Sequence, residues 1–314
     1  MVSEQYREML GKKSVIRQLS EAAARRAAQI GAETVFDYSL GNPSVPAPES
    51  FRRALLSLIE KNDPMALHGY SPTLGIPSVK ERIADSLNRR FEMAYAPEHI
   101  FPVSAAAAAI AHALRAVTQP GDEVLTFAPF FPEYHPYVDL TGARLRVIPP
   151  DTDNFQADLA AFEKMLSPKV AAVLINTPNN PSGAVYSAET LTGLADVMRR
   201  KQKEYGHDIF LISDEPYREI VFDGKTQPYV SKFYENTIAC YSFSKALSIP
   251  GERIGYLAVN PACPYAAEIV NMCGQISRGI GHNCPTSLMQ LAVAEVLDET
   301  ADFSVYEKNQ EPFI

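Results

Sequence analysis

The sequence predicts an α/β protein: a large, mostly parallel sheet with helices on both faces. Two observations carry this. From about residue 100 onward, short runs rich in β-branched residues recur, apolar almost throughout, as strands covered on both faces must be. Helical stretches lie between several of them, and that alternation favours parallel crossovers over hairpins. With 314 residues, the chain is also long enough for two lobes.

Taken in order, a helix is expected over Val15 to Gly31, then an extended piece from Val35 to Leu40. Pro43, Pro46 and Pro48 punctuate an irregular connection. Helices follow over Glu49 to Lys61 and Ile76 to Phe91. The strands are expected at Glu123–Ala128, Arg144–Ile148, Val170–Asn176, Ile209–Asp214, Thr237–Tyr241 and Ile254–Val259. Between or after them the helices fall at Ala105–Val117, Leu159–Met165, Ala188–Tyr205 and Thr286–Leu297. The expected organisation is an N-terminal segment of a small domain (1–45), a large α/β domain (46–285), and a linking helix that begins a second part of the small domain (286–314).

Composition narrows the function classes. The charge sum is −8, with no basic stripe, which argues against nucleic acid as the main partner. No segment reaches the roughly 18 apolar residues of a membrane span, and the polar start lacks the apolar core of a signal peptide. Cys240, Cys263, Cys273 and Cys284 are widely spaced, read as reduced thiols of a cytoplasmic protein, and offer no metal-ligand spacing. The expectation is therefore no metal, no membrane and no nucleic acid.

Open sheets of this kind bind ligands beyond the carboxyl ends of their strands, so the residues just after each strand are the informative ones. There the sequence places Phe131 after Ala128-Pro129, then Thr177-Pro178-Asn179-Asn180-Pro181-Ser182-Gly183, then Asp214-Glu215-Pro216-Tyr217, then Ser242-Phe243-Ser244-Lys245 with Arg253 further on. Each alone has an ordinary reading: a turn, a helix cap, a solvated lysine, a packed aromatic.

Together, and in this order, they resemble the class I/II aminotransferases of the aspartate type, whose fold is the pyridoxal-phosphate-dependent transferase fold. The resemblance runs from about Asp37 to Asp298. Its strongest piece is Ser242-Phe243-Ser244-Lys245 followed by Gly251-Glu252-Arg253-Ile254-Gly255, which is similar to the family's cofactor-lysine signature. Asn180-Pro181-x-Gly183 and Asp214-x-x-Tyr217 precede it in the expected order.

The resemblance implies pyridoxal 5′-phosphate as cofactor and a role for each residue. Lys245 would hold the aldehyde as a Schiff base and then shuttle the proton. Asp214 would pair with the pyridine nitrogen and deepen the electron sink. Asn180 and Tyr217 would donate to the 3′-oxygen, and Phe131 would lie against the ring. Arg253, Ser242, Ser244 and the N–H groups of Ala105, Ala106 and Ala107 at a helix start would hold the phosphate. Tyr70, in Tyr70-Ser71-Pro72-x-x-Gly75, would reach the phosphate of a neighbouring subunit in a homodimer with shared sites. Gly41 and Asn180 would face the substrate.

The implied reaction moves an amino group between an L-amino acid (aspartate or a broad range) and a 2-oxo acid, in ping-pong order. The family also carries a long C-terminal portion with an arginine for the substrate α-carboxylate. No arginine follows Arg278 here, so most of that portion is expected to be missing and the role is unassigned. Two alternatives remain open: a carbon–sulfur lyase of the same fold, and a non-catalytic module that only holds the cofactor.

Overall fold

The structure is a computed structural model, and it describes residues 2–11, 15–39 and 41–304. It divides into two compact units, Met1–Ser44 and Val45–Ile314. In the first, α1 (Glu4–Gly11) and α2 (Val15–Ile30) are followed by a short 3-10 turn at Ala32–Thr34 and irregular chain. The Arg- and Ala-rich sequence of α2 favours a helix by propensity, and the helix buries none of its residues. Leu40, the end of the predicted extended piece, lies outside the described residues.

In the second unit, α3 (Glu49–Lys61), α4 (Pro64–His68) and α5 (Pro77–Phe91) precede β1 (Ile100–Val103). Then come α6 (Ala105–Val117), β2 (Glu123–Phe127), α7 (Tyr134–Asp139), β3 (Arg144–Ile148), α8 (Leu159–Met165), β4 (Val170–Asn176), α9 (Ala188–Tyr205) and β5 (Phe210–Asp214). β6 (Thr237–Ser242), α10 (Phe243–Ala246), β7 (Gly255–Val259), α11 (Ala266–Gly279) and α12 (Ser287–Ala294) complete it. Among the described residues, one seven-stranded sheet has the order β1-β7-β6-β5-β4-β2-β3. The neighbours from β6 across to β3 pair parallel, whereas β7 runs antiparallel to both β6 and β1.

Alternation along the strands builds the core on both faces. Ala172 and Leu174 of β4, Ile212 of β5 and Ile238 and Cys240 of β6 pack with α6, α7 and α11. Val173 and Ile175 of β4 and Leu211 of β5 turn the other way, toward Phe162 of α8 and Leu191, Leu194 and Met198 of α9. A third cluster joins Ala239 and Tyr241 of β6 to α3, α5 and α12.

Serine, aspartate and threonine start several helices by accepting from a backbone N–H: Asp158 on α8, Ser187 on α9 and Thr286 on α12. No helix of the described residues is long and apolar enough to cross a membrane.

The predicted α/β sheet is the one found, with differences that have local causes. β1 went unread because it is four residues long and contains Pro102. Pro136 sits inside α7, and Gly274 interrupts α11, so neither showed a clean helical pattern. The helix expected over Thr286 to Leu297 ends at Ala294.

The seat of β7 depends on one close approach. A Cβ on Gly255 would stand 2.2 Å from the Tyr241 carbonyl oxygen, 3.0 Å from Ala105 Cα and 3.1 Å from Ser242 Cα. Only glycine lets the start of β7 sit between the end of β6 and the start of α6.

Candidate active site

The parallel register brings three strand ends level. Asn176 of β4 is opposite Asp214 of β5, and Asp214 is opposite Cys240 of β6. A cleft opens beside them. Its walls are Ala106, Ala107 and Ile110 of α6, Phe131 and Tyr137 of the 131–139 segment, Asn176 and Asn180 after β4, and Asp214, Pro216 and Tyr217 after β5.

Asp214 is the centre of its polar side. Its Oδ2 accepts from the buried Tyr134 hydroxyl at 2.6 Å, and its backbone carbonyl accepts from Asn176 Nδ2 at 2.9 Å. Its Oδ1 is buried with no hydrogen-bond partner among the described residues. Burial pushes the Asp214 carboxyl up to about 7, against the Tyr134 hydrogen bond and aided by the charge of Glu215. An unpaired acceptor in so dry a place is costly unless a donor meets it, and a protonated heterocyclic nitrogen is such a donor.

The loop after β4 is held by its own amides. Asn180 N–H donates to Asn176 Oδ1 at 2.6 Å, and Asn180 Nδ2 donates to the Tyr217 hydroxyl at 3.3 Å. Asn179 Oδ1 accepts from both the N–H and the hydroxyl of Ser182. The Tyr217 phenol is pushed up to about 12 by burial and the Asp214 charge, with Asn180 opposing. It is therefore a neutral donor at physiological pH.

Lys245 stands on α10, directly after β6, and is half-buried. Burial, and then the nearby Arg253 charge, hold its ammonium below the ordinary lysine range. The same Arg253 acts on Tyr137, whose phenol burial pushes up to about 12. Ser242 and Ser244, both buried, share a 2.6 Å hydroxyl contact. Arg253 is exposed, has φ 50°, and donates from Nη1 to the Pro250 carbonyl at 2.7 Å.

At the start of α6, Ser104 makes no side-chain cap bond, and Ala105 takes φ 68°, a left-handed backbone that glycine adopts freely. Tyr70 is fully exposed and is not among the residues that line the cleft. Gly41 belongs to the Met1–Ser44 unit.

Sequence reasoning missed four contributors. Tyr134 and Tyr137 lie on a proline-containing helix with no periodic signal. Asn176 was visible as a polar residue ending an apolar strand, a signal that could have found it but was not used. The fourth is Arg218, fully buried beneath the loop. It donates to Glu215 at 3.2 Å, Glu219 at 3.1 Å and the Tyr256 hydroxyl at 3.1 Å. Its guanidinium lies 4.2 Å from the Tyr241 ring centre and 5.0 Å from that of Phe91. Glu219, which burial alone would raise, is held low by Arg218 and Arg90, the latter at 2.8 Å.

This geometry has counterparts among known proteins. The profile of the family described as "Aminotransferase class I and II" matches residues 33–311. Aspartate aminotransferase of Thermotoga maritima is 32% identical over 228 residues, which are 72% of this chain and 58% of that protein. Aromatic-amino-acid aminotransferase 2 of Thermococcus litoralis is 29% identical over 88% of this chain and 68% of its own length. A crystal structure of an amino transferase from Eubacterium rectale superposes with a TM-score of 0.94 at 42% identity, covering 98% of this chain and 78% of that one. The chain thus spans less than two thirds of the Thermotoga relative. The sheet order, the cleft at the strand ends and the family match over most of the sequence agree: the chain belongs to the class I and II aminotransferases.

Proposed function

We propose that this chain binds pyridoxal 5′-phosphate in the cleft and transfers an amino group between an L-amino acid and a 2-oxo acid. The observation that carries the reading is the buried Oδ1 of Asp214, without a partner among the described residues, in a cleft that Ala106, Ala107, Phe131, Asn180 and Tyr217 also line, whereas Ala105, Ser242, Ser244, Lys245 and Arg253 are not among its walls. Asp214 would hold the pyridine nitrogen protonated. Asn180 and Tyr217 would donate to the ring oxygen, and Phe131 would support the ring face. Arg253, Ser242, Ser244 and the backbone N–H groups of Ala105, Ala106 and Ala107 would hold the phosphate. When bound, pyridoxal phosphate supplies an electron sink for the bonds at the substrate α-carbon.

Within that frame, Lys245 Nζ would supply the amine for the cofactor's aldehyde and would serve as the base for the substrate's α-proton. Its depressed basicity, from burial and Arg253, raises the neutral fraction that can do both. Tyr217 keeps its proton and so remains a donor throughout. Two half-reactions on one site imply ping-pong order.

Aspartate and aromatic substrates named for relatives support an amino-acid substrate of that range. A cytoplasmic homodimer in which Tyr70 reaches a neighbour's phosphate belongs to the same reading, supported by the exposure of that ring. So does the division at 1–45, 46–285 and 286–314.

The test is the absorbance spectrum of purified protein mixed with pyridoxal phosphate, wild type beside Lys245→Ala, before and after aspartate or glutamate. A Lys245-dependent band that shifts with the amino acid is expected. A spectrum identical to free cofactor in wild type would sink the reading.

A further inference from the structure

We infer that Tyr134 is a positioning residue for the cofactor's ring: its hydroxyl fixes which Asp214 oxygen faces the cleft, and its ring edge sets Phe131. The inference deepens the reading of the cleft as a pyridoxal-phosphate site and rests on it.

Both partners are buried, Tyr134 completely, and the 2.6 Å bond goes to Oδ2 while Oδ1 stays unpaired. A carboxylate can rotate about its Cβ–Cγ bond, so a buried donor on one oxygen decides the direction of the other. The same phenol ring meets Phe131 edge-on, with ring centres 5.8 Å apart and planes at 85°. It also stacks on Phe130 at 6.2 Å. Tyr134 N–H donates to the Phe131 carbonyl at 3.1 Å, so α7 and the preceding turn are locked together. One side chain therefore controls the group expected at the ring nitrogen and the group expected at the ring face.

The other ionisable groups acting on Asp214 or felt by it are Tyr137 from α7, Glu215 and Tyr217 from the loop after β5, and Cys240 from β6. Those whose shifts are resolved are acids held neutral or raised by burial. A hydrogen bond to the anion opposes burial, so removing it makes Asp214 take up a proton at higher pH.

The experiment is a titration of cofactor-free protein with pyridoxal phosphate, read by absorbance, across pH. It compares wild type, Tyr134→Phe, Asp214→Asn and the double variant. Phenylalanine keeps the ring and its contacts with Phe130 and Phe131, so the fold is retained. Tyr134→Phe should bind about tenfold more weakly near neutral pH, as expected for losing one hydrogen bond to a charged group. Its affinity should also begin to fall at a higher pH on acidification than that of wild type. In the Asp214→Asn background, the same substitution should change affinity less than about twofold, because no charge remains to be held.

An unchanged affinity and pH profile in Tyr134→Phe, or an equal loss in both backgrounds, would overturn the inference. Wild-type protein that binds no pyridoxal phosphate would instead remove the reading of the cleft beneath it.

Discussion

At the scale of the residue, the site combines ordinary chemistry with one conformational departure. Ala105 opens α6 at φ 68°, where an L side chain brings Cβ too close to the carbonyl oxygen. Ala105→Gly should relieve that clash and stabilise the protein by about 0.5–1 kcal/mol, after allowing for the greater freedom of glycine in the unfolded chain. Urea unfolding of the two proteins checks it, and an unchanged or lower midpoint would mean that the backbone stores no strain there. Lys245, Asn180 and Tyr217 follow strands and Asp214 ends one, so all four stood out as breaks in apolar runs, while the roles expected of them came from the family resemblance. Tyr134 was not legible, because its partner is 80 residues away and nothing local marks the pair. The pairing of Arg90 with the buried carboxylate of Glu219 was hidden for the same reason, across 129 residues.

At the scale of the element, the parallel strands are specified by side chains, and the reversed one is seated by a missing side chain. β2 to β6 follow from hydrophobic runs separated by helix-forming stretches, and that information is local. The direction of β7 is not, since its apolar run would suit either sense. Its close seat beside β6 and α6 rests on Gly255, whose Cβ would press on backbone atoms that cannot swing aside. Gly255→Ala should therefore destabilise the protein by about 3 kcal/mol, near the upper end for overpacking. It should also weaken cofactor binding, because Ala105 and Ser242 are the atoms displaced. Measuring the urea midpoint and cofactor affinity of that variant checks both. A loss below about 0.5 kcal/mol, within the range of neutral substitutions, would show that the strands can separate cheaply.

At the scale of the whole molecule, the dry setting of Asp214 couples stability to pH. Its carboxyl, normally near 3.8, is raised to about 7 in the folded, cofactor-free protein. Between those values the folded state holds a proton that the unfolded state has lost. The contribution to stability is thus fully present in acid and disappears as pH rises through about 7. At about 1.4 kcal/mol per pH unit, the change amounts to a few kcal/mol at most. Urea midpoints of cofactor-free wild type should carry this downward component across the window, and those of Asp214→Asn should lack it. Parallel pH profiles in the two proteins would rule it out. Acidic composition indicated none of this, since the net charge of −8 is a sum over every charged residue of the chain and does not single out one buried carboxyl.

The reversal of β7 also has a mechanical side. Ser242 pairs across the sheet with Gly255, so the segment between them leaves the sheet and returns to it at the same edge. Residues 243–254 therefore form a staple with both feet planted on adjacent strands, and Lys245 and Arg253 each stand beside one foot. A cut in the crown of the staple, between Ser248 and Pro250, would leave the amine and the guanidinium still rooted in the same sheet. The strands beneath fix where each backbone is rooted, while the crown holds the guanidinium itself, through the bond from Arg253 Nη1 to the Pro250 carbonyl.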